Sequence, residues 1–306
     1  MPALTSRRRK APTSNLSTIN MIGLIIKIVS NQYTLLTREG ESILATAMGK
    51  LRLGSKPLVG DRVEYELIED RYAIQKILPR TNYLVRPAIA NVDQAMIVMS
   101  AVEPDFSPLL VDKLVFLISY RFIEPLIVIT KMDLVKPGNR IYEYIEDYRK
   151  SGYHVITVGK DRDIDDVKAA LKDKITVLTG QSGVGKSTIM NRLDEAFAAA
   201  TQEISKSMGR GKHTTRHVQL YQVAGGLIAD TPGFSSLDFS RIDALTLAGR
   251  IPDFREAGEC RFKDCKHVNE PNCRVKEKVE KGEISRIRYL NYLEAVKLCN
   301  QKEDWE

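Results

Sequence analysis

Gly180-Gln-Ser-Gly-Val-Gly-Lys-Ser187 decides how this chain is read. The run satisfies G-x-x-x-x-G-K-[ST]. It follows the apolar segment Ile175-Thr-Val-Leu-Thr179 and opens a stretch of helical period, Ser187 to Leu193. That is the strand–loop–helix context a phosphate-binding loop needs. Glycines let backbone N–H groups wrap a β-phosphate without an obstructing Cβ, and the helix start adds free donors and a favourable dipole. The stretch Gly180, Gln181, Ser182, Gly183, Val184, Gly185, Lys186, Ser187 and Thr188 is therefore predicted to hold nucleotide phosphates. Lys186 is expected on the β- and γ-phosphates and Ser187 on Mg²⁺.

Downstream, Asp230-Thr-Pro-Gly233 follows the apolar run Gly226-Leu-Ile-Ala229. A carboxylate at a strand end is placed to hold Mg²⁺, and the Gly233 N–H to meet a γ-phosphate. Upstream, Thr130-Lys131-Met132-Asp133 ends another strand-like run, where open α/β sheets bind ligands. It resembles the N-K-x-D element of GTP-binding proteins. Asp133 is expected to accept from N1–H and the exocyclic amine of guanine, and Lys131 to lay its stem over the base. Adenine would leave that carboxylate unpaired, which favours guanine. Thr130 stands where Asn is usual and removes an amide contact. The base motif precedes the phosphate loop, whereas most GTPases have the opposite order. The same sheet results from circular permutation, because domain termini often lie close together.

Alternating strands and helices run from residue 90. Strands are expected at Ala95–Ser100, Pro125–Thr130, His154–Val158 and Ile175–Thr179, and helices at Leu109–Tyr120 and Tyr142–Ser151. This is an α/β layout with a mostly parallel sheet. The Thr157-Val-Gly159 stretch is too degraded to be assigned a role. Before it, Gly23–Val29, Gln32–Thr37 and Arg62–Leu67 read as short strands of a small barrel. Such a barrel suits RNA binding, or packing alone. Residues 1–20 are basic and lack Asp and Glu. They read as a disordered tail that can touch RNA, a cloning leader or a transit peptide.

The formal net charge of +7 favours an anionic partner. Residues 1–85 hold 13 Lys/Arg against 7 Asp/Glu, and Arg7 to Lys10 supply most of that surplus. Nucleic-acid binding by the barrel would therefore need stacking and shape as well as charge. The four cysteines all lie in the last sixth of the chain, which argues against a disulfide-stabilised secreted protein. Cys260-x₄-Cys265-x-His267-x₅-Cys273 offers four ligands and no open position, the composition of a structural zinc site. Cys299, on a helix expected near Ile284–Leu298, reads as core. No stretch looks like a membrane span.

The combination resembles the ribosome small subunit-dependent GTPase A family (RsgA, also called YjeQ or YloQ). Its carriers are Val59-Gly-Asp-Arg-Val63, Ile77-Leu-Pro-Arg80, Arg86-Pro87 with Ala90-Asn-Val-Asp-Gln94, the permuted motifs, Arg210-Gly-Lys-His-Thr-Thr215, Asp230-Thr-Pro-Gly-Phe234, and the Cys/His cluster with Glu270-Pro271. The resemblance covers nearly everything from residue 21 onward. It implies a multidomain α/β protein: an OB-fold over 21–83, a circularly permuted G domain over 84–238 and a zinc domain with a C-terminal helix over 239–306, after a tail of 1–20. It also implies late maturation of the small ribosomal subunit, with GTP hydrolysis stimulated by that subunit and its rRNA as partner, in the cytoplasm. Phe234 follows D-T-P-G where many GTPases carry a water-orienting Gln. His213 matches the family's replacement from switch I, although it can instead contact RNA or solvent. Thr214 or Thr215, with preference for Thr215, is expected to close on Mg²⁺. Two other readings remain open. One is an rRNA assembly scaffold that uses GTP as a structural ligand; the other is an ATPase of RNA metabolism, which Asp133 opposes.

Overall fold

Short strands with one apolar face can bury it only by curling onto themselves or packing on something else. The computed structural model, which describes residues 21–47, 56–85, 87–161, 163–193, 218–229 and 237–299, shows the first solution at the start of the chain. Strands β1 (Met21–Val29), β2 (Gln32–Leu36), β3 (Ser42–Ala47), β4 (Arg62–Ile68) and β5 (Arg71–Ile77) form a closed barrel in the order β1-β2-β3-β5-β4. The β3–β5 pair is parallel and the other pairs are antiparallel, an OB-type arrangement. Alternate residues point inward, so Ile25, Tyr33, Leu35, Val63, Tyr65 and Ile74 fill the interior. Register shifts at Ile25/Lys27 and Glu64/Tyr65 supply the bends that so small a barrel needs to close.

A two-stranded ribbon, β6 (Tyr83–Leu84) and β7 (Ile89–Ala90), leads out of the barrel. Then come β8 (Gln94–Ser100), α1 (Pro108–Tyr120), β9 (Glu124–Thr130), α2 (Ile141–Lys150), β10 (His154–Thr157) and α3 (Asp165–Leu171). They are followed by β11 (Ile175–Thr179), α4 (Lys186–Leu193), β12 (Leu220–Val223) and β13 (Gly226–Ala229). The sheet order is β10-β9-β8-β11-β13-β12, parallel except for β12. Every residue of β8 is buried, as a central strand covered on both faces requires. The expected strands and helices are present, with ends moved by a residue or two. α1 starts at Pro108, with Ser107 Oγ accepting from the Leu110 N–H at 3.3 Å.

The remaining elements are α5 (Ala244–Ala248), α6 (Pro252–Arg255), α7 (Arg274–Glu280) and α8 (Arg286–Leu298). The face that α8 buries is led by Arg288, Tyr292 and Ala295, while Ile287 and Leu290 are exposed. Arg288, 1% exposed, reaches Asp253 at 2.8 Å, Asp147 at 3.1 Å and Asp112 at 3.3 Å, and lies over the rings of Tyr148 and Tyr153. It fastens the last helix to α1, α2 and α6. Cys299 is the buried C-cap of α8, outside the metal cluster.

The barrel is joined to the sheet by a second buried polar cluster. Asp61 is fully buried; its carboxylate accepts from Arg80 at 2.6 and 2.8 Å and from the Leu58 N–H at 2.7 Å. The Asn91 amide donates to the Gly60 carbonyl at 2.8 Å, and its oxygen accepts from the Thr81 N–H at 2.9 Å. Gly60 has φ +86°, and a Cβ there would lie 2.0 Å from the Ala90 carbonyl oxygen. The Val59-Gly-Asp, Leu-Pro-Arg80 and Ala90-Asn segments are therefore three sides of one joint.

Candidate nucleotide site and metal centre

β8, β9 and β11 are parallel, so their carboxyl ends open on the same edge of the sheet. The phosphate loop leaves β11 there. Gly180 passes so close to β8 that a Cβ would meet the Val98 carbonyl oxygen at 2.1 Å, which is why glycine is needed. Val184 anchors the loop in the core, while Gln181, Ser182, Gly183, Ser187 and Thr188 stay exposed. The Lys186 ammonium donates to the Gly180 carbonyl at 2.8 Å and to that of Gln181. The first turn of α4 adds the unpaired N–H groups of any helix start. This cradle can bind a polyanion.

One strand over from β8, β9 ends in the base motif. Thr130 is buried, and its hydroxyl contacts the Val184 carbonyl at 2.5 Å and that of Met99 at 3.3 Å. It is therefore a tether between the base motif and the phosphate loop. Lys131 takes a left-handed backbone, φ 58°, and its ammonium donates to the Glu103 carbonyl. Met132 is buried, and its N–H donates to the Val158 carbonyl at 3.1 Å. Exposed Asp133 accepts from the Lys160 N–H at 2.9 Å. β9 and β11 stand about 10 Å apart with β8 between them, a span suited to a ribose and α-phosphate.

The sequence assigned nothing to Thr157-Val158-Gly159, yet the structure brings this stretch against the base motif. Gly159 packs on Asp133, where a Cβ would lie 3.2 Å from Oδ1, and Arg192 from α4 donates to the Gly159 carbonyl at 3.0 Å. The contact is made by backbone N–H and C=O groups, which leave little mark in side-chain identity. His213, Thr214, Thr215, Asp230, Gly233 and Phe234 lie outside the described residues. A cavity of about 650 Å³ between barrel and sheet opens on strand starts, lined by Arg62, Lys174 and Leu227 among others, and none of the described residues of the phosphate loop or base motif line it.

The metal candidates do converge. His267 Nδ1 lies 3.4 Å from Cys265 Sγ, 3.4 Å from Cys273 Sγ and 3.6 Å from Cys260 Sγ. All four ligand atoms lie within 4.8 Å of one another. Zinc bonds of about 2.0–2.3 Å in a tetrahedron give ligand separations of about 3.5–3.8 Å, so the donor set and its spacing fit. These side chains form a potential zinc site. Burial pushes the Cys265 thiol up to about 12, raises that of Cys273 and lowers the His267 imidazole. A bound cation reverses the preference for neutral thiols by taking thiolates as ligands. The loop around the cluster is fixed in turn. Glu270 accepts from the Lys266 and Val268 N–H groups at 2.9 and 2.8 Å, and Tyr289 and Tyr292 of α8 donate to the carbonyls of His267 and Lys266 at 2.8 and 2.5 Å.

A barrel, a parallel sheet carrying a phosphate loop after its base motif, and a Cys₃His module together define a circularly permuted GTPase. The sequence profile of the RsgA GTPase family matches residues 77–240. The small ribosomal subunit biogenesis GTPase RsgA of Bacillus subtilis (strain 168) is 46% identical over 283 residues, 89% of this chain and 95% of that protein. Its namesake in Geobacillus kaustophilus (strain HTA426) is 45% identical over 90% of this chain and 96% of that protein. The solved structure of YloQ, described as a circularly permuted GTPase, aligns with a TM-score of 0.78 at 39% identity, covering 93% of this chain and 97% of that one. YjeQ from Thermotoga maritima gives 0.77 at 35% identity, covering 93% and 100%. The chain belongs to the RsgA GTPase family.

Proposed function

We propose that the chain binds GTP with Mg²⁺ across the carboxyl ends of β9, β8 and β11, and that hydrolysis serves late maturation of the small ribosomal subunit. The observation that carries the nucleotide site is the Thr130–Val184 hydrogen bond, which fixes the base motif to the phosphate loop. Asp133 reads guanine, the 180–188 loop and Gly233 hold phosphates, and Ser187, Thr215 and Asp230 serve Mg²⁺. Relatives named for small-subunit biogenesis match about nine-tenths of the chain, which supports that subunit and its rRNA as partners. The GTP form binds the subunit and is released after subunit-stimulated hydrolysis. The protein works as a cytoplasmic monomer, divided into an OB-fold over 21–83, a G domain over 84–238 and a zinc domain over 239–306.

His213 orients the attacking water in this reading, because Phe234 cannot. Phosphate release with small and large subunits added separately tests the proposal: stimulation by small subunits alone is expected. The His213→Ala variant should keep GTP affinity and small-subunit binding while stimulated turnover falls about 10- to 1000-fold, the scale for losing a positioned catalytic group. No stimulation of the unaltered protein by small subunits would leave the scaffold reading.

A further inference from the structure

Two aromatic rings stand in solvent beside the joint between the barrel and the sheet. Tyr83 of β6 is 52% exposed, and Phe122, in the turn from α1 to β9, is 61% exposed. Phe122 holds a left-handed backbone, φ 59°, unusual for a bulky side chain. The guanidinium of Arg250, which follows α5, lies over its ring at 3.3 Å. The Arg80 guanidinium stands 6.0 Å from the Tyr83 centroid, and that of Arg121 5.5 Å from the Tyr120 centroid. The Asn82 amide contacts the Phe122 carbonyl at 3.4 Å, so the segments carrying the two exposed rings touch.

The charge of the patch is basic. Asp61 pairs with Arg80, whereas Arg121 and Arg250 have no carboxylate partner among the described residues. Glu124 nearby is 4.0 Å from Lys174, and Asp243 caps α5 by accepting from the Thr246 N–H. Exposed rings capped by guanidinium groups suit a planar, uncharged π-system attached to an anionic backbone. An unpaired nucleotide has that chemistry: base–aromatic stacking works for every base, and arginine adds cation–π and phosphate contacts.

We propose that Tyr83 and Phe122, with Arg250 and Arg121, form a stacking platform for unpaired RNA bases, and that the platform engages single-stranded rRNA at the junction of the three modules. The proposal rests on the small-subunit reading above and adds a location to it. It also answers the weak basicity of the barrel: the RNA contact is carried by rings at the joint.

The test uses the full chain with a non-hydrolysable GTP analogue, a fluorescein-labelled single-stranded RNA oligonucleotide, protein-free small-subunit rRNA and intact small subunits. Phe122→Asn removes the ring while keeping a residue that tolerates positive φ; Tyr83→Ser removes the other, and Tyr83→Phe is the conservative control. Phe122→Asn and Tyr83→Ser should each weaken RNA binding about 5- to 100-fold, the scale of one lost base stack. The salt dependence should be unchanged, because no phosphate contact is removed. Tyr83→Phe should bind like the unaltered protein, and intrinsic GTP turnover should not move. RNA affinities within two-fold of the unaltered protein in both ring-deleted variants would overturn the proposal. So would loss of binding to intact subunits with rRNA binding unchanged, which would put a ribosomal protein on the patch. If the unaltered protein does not bind small subunits, the functional reading fails first, and the oligonucleotide arm still decides the platform.

Discussion

At position 130 a threonine stands where the base motif of GTP-binding proteins carries asparagine, and the sequence alone shows only the loss of an amide. In the folded chain that hydroxyl is buried and spans to the Val184 carbonyl at 2.5 Å. Thr130→Val keeps the shape and deletes the donor, leaving a buried carbonyl short of a partner at a cost of about 1–3 kcal/mol. Both GTP affinity and thermal stability should fall, and Thr130→Ser should restore them. Calorimetric titration and melting of the three proteins check this, and an unchanged Thr130→Val would mean the tether carries nothing. Asp133 tests the other half of the base site. Asp133→Asn exchanges an acceptor for a donor, so preference should move from GTP toward XTP, measured by competition between the two nucleotides. The sequence singles out Asp133 because its carboxylate chemistry is particular to the side chain. It does not single out Lys160, because that residue meets Asp133 through its N–H at 2.9 Å, a group nearly every residue has.

Elements show a similar division. β8, β9 and β11 were legible as apolar runs bounded by turns, because a strand buried on both faces has little choice of composition. β3 and β5 were not singled out: Ser42–Ala47 has little alternation, and its parallel pairing with Arg71–Ile77 is long-range. The short helices α5 and α6 are too brief to display a helical period. The sequence predicts α8 but not the face it buries, because an arginine on a helix usually means solvent. Arg288 is instead buried among Asp112, Asp147 and Asp253. The metal loop lies beside it, with Tyr289 and Tyr292 of α8 holding the carbonyls next to the cluster. Structural zinc contributes folding free energy directly, so Cys265→Ser or chelation should melt the loop around residues 260–273 and loosen α7. The nucleotide loop belongs to a different set of contacts and should keep GTP affinity. Metal analysis should find one zinc per chain in the unaltered protein. A chain with well under one, or a Cys265→Ser protein with an undisturbed C-terminal region, would remove zinc from the account.

For the whole molecule, the order of motifs announced the permuted sheet, while the way the modules meet lay in residues whose partners are distant in sequence. The Val59-Gly-Asp, Leu-Pro-Arg80 and Ala90-Asn segments were legible as family signatures, yet their contacts had to be seen. Gly60 is where the joint is tightest: φ is +86°, and a Cβ would sit 2.0 Å from the Ala90 carbonyl oxygen. Gly60→Ala must therefore push Ala90 away, stretching the Asn91–Gly60 hydrogen bond and the Asp61–Arg80 pair beside it. Strained glycine replacements of this kind commonly cost about 1–3 kcal/mol. None of these groups touches the phosphate loop or Asp133, so intrinsic GTP affinity should stay as it was. The barrel should lose its fixed direction relative to the sheet. If the small subunit is gripped by barrel, sheet and metal module together, its stimulation of turnover depends on that direction through avidity rather than through any one contact. The expected result is normal nucleotide binding, faster proteolytic cleavage near residues 78–93, and a marked fall in small-subunit-stimulated turnover. Asp61→Asn, which keeps the shape of the joint and weakens its ion pair, should give a milder version of the same pattern. Equal loss of nucleotide binding and stimulation would point to global unfolding, and full stimulation despite a cleavable joint would show that the modules act independently on the ribosome.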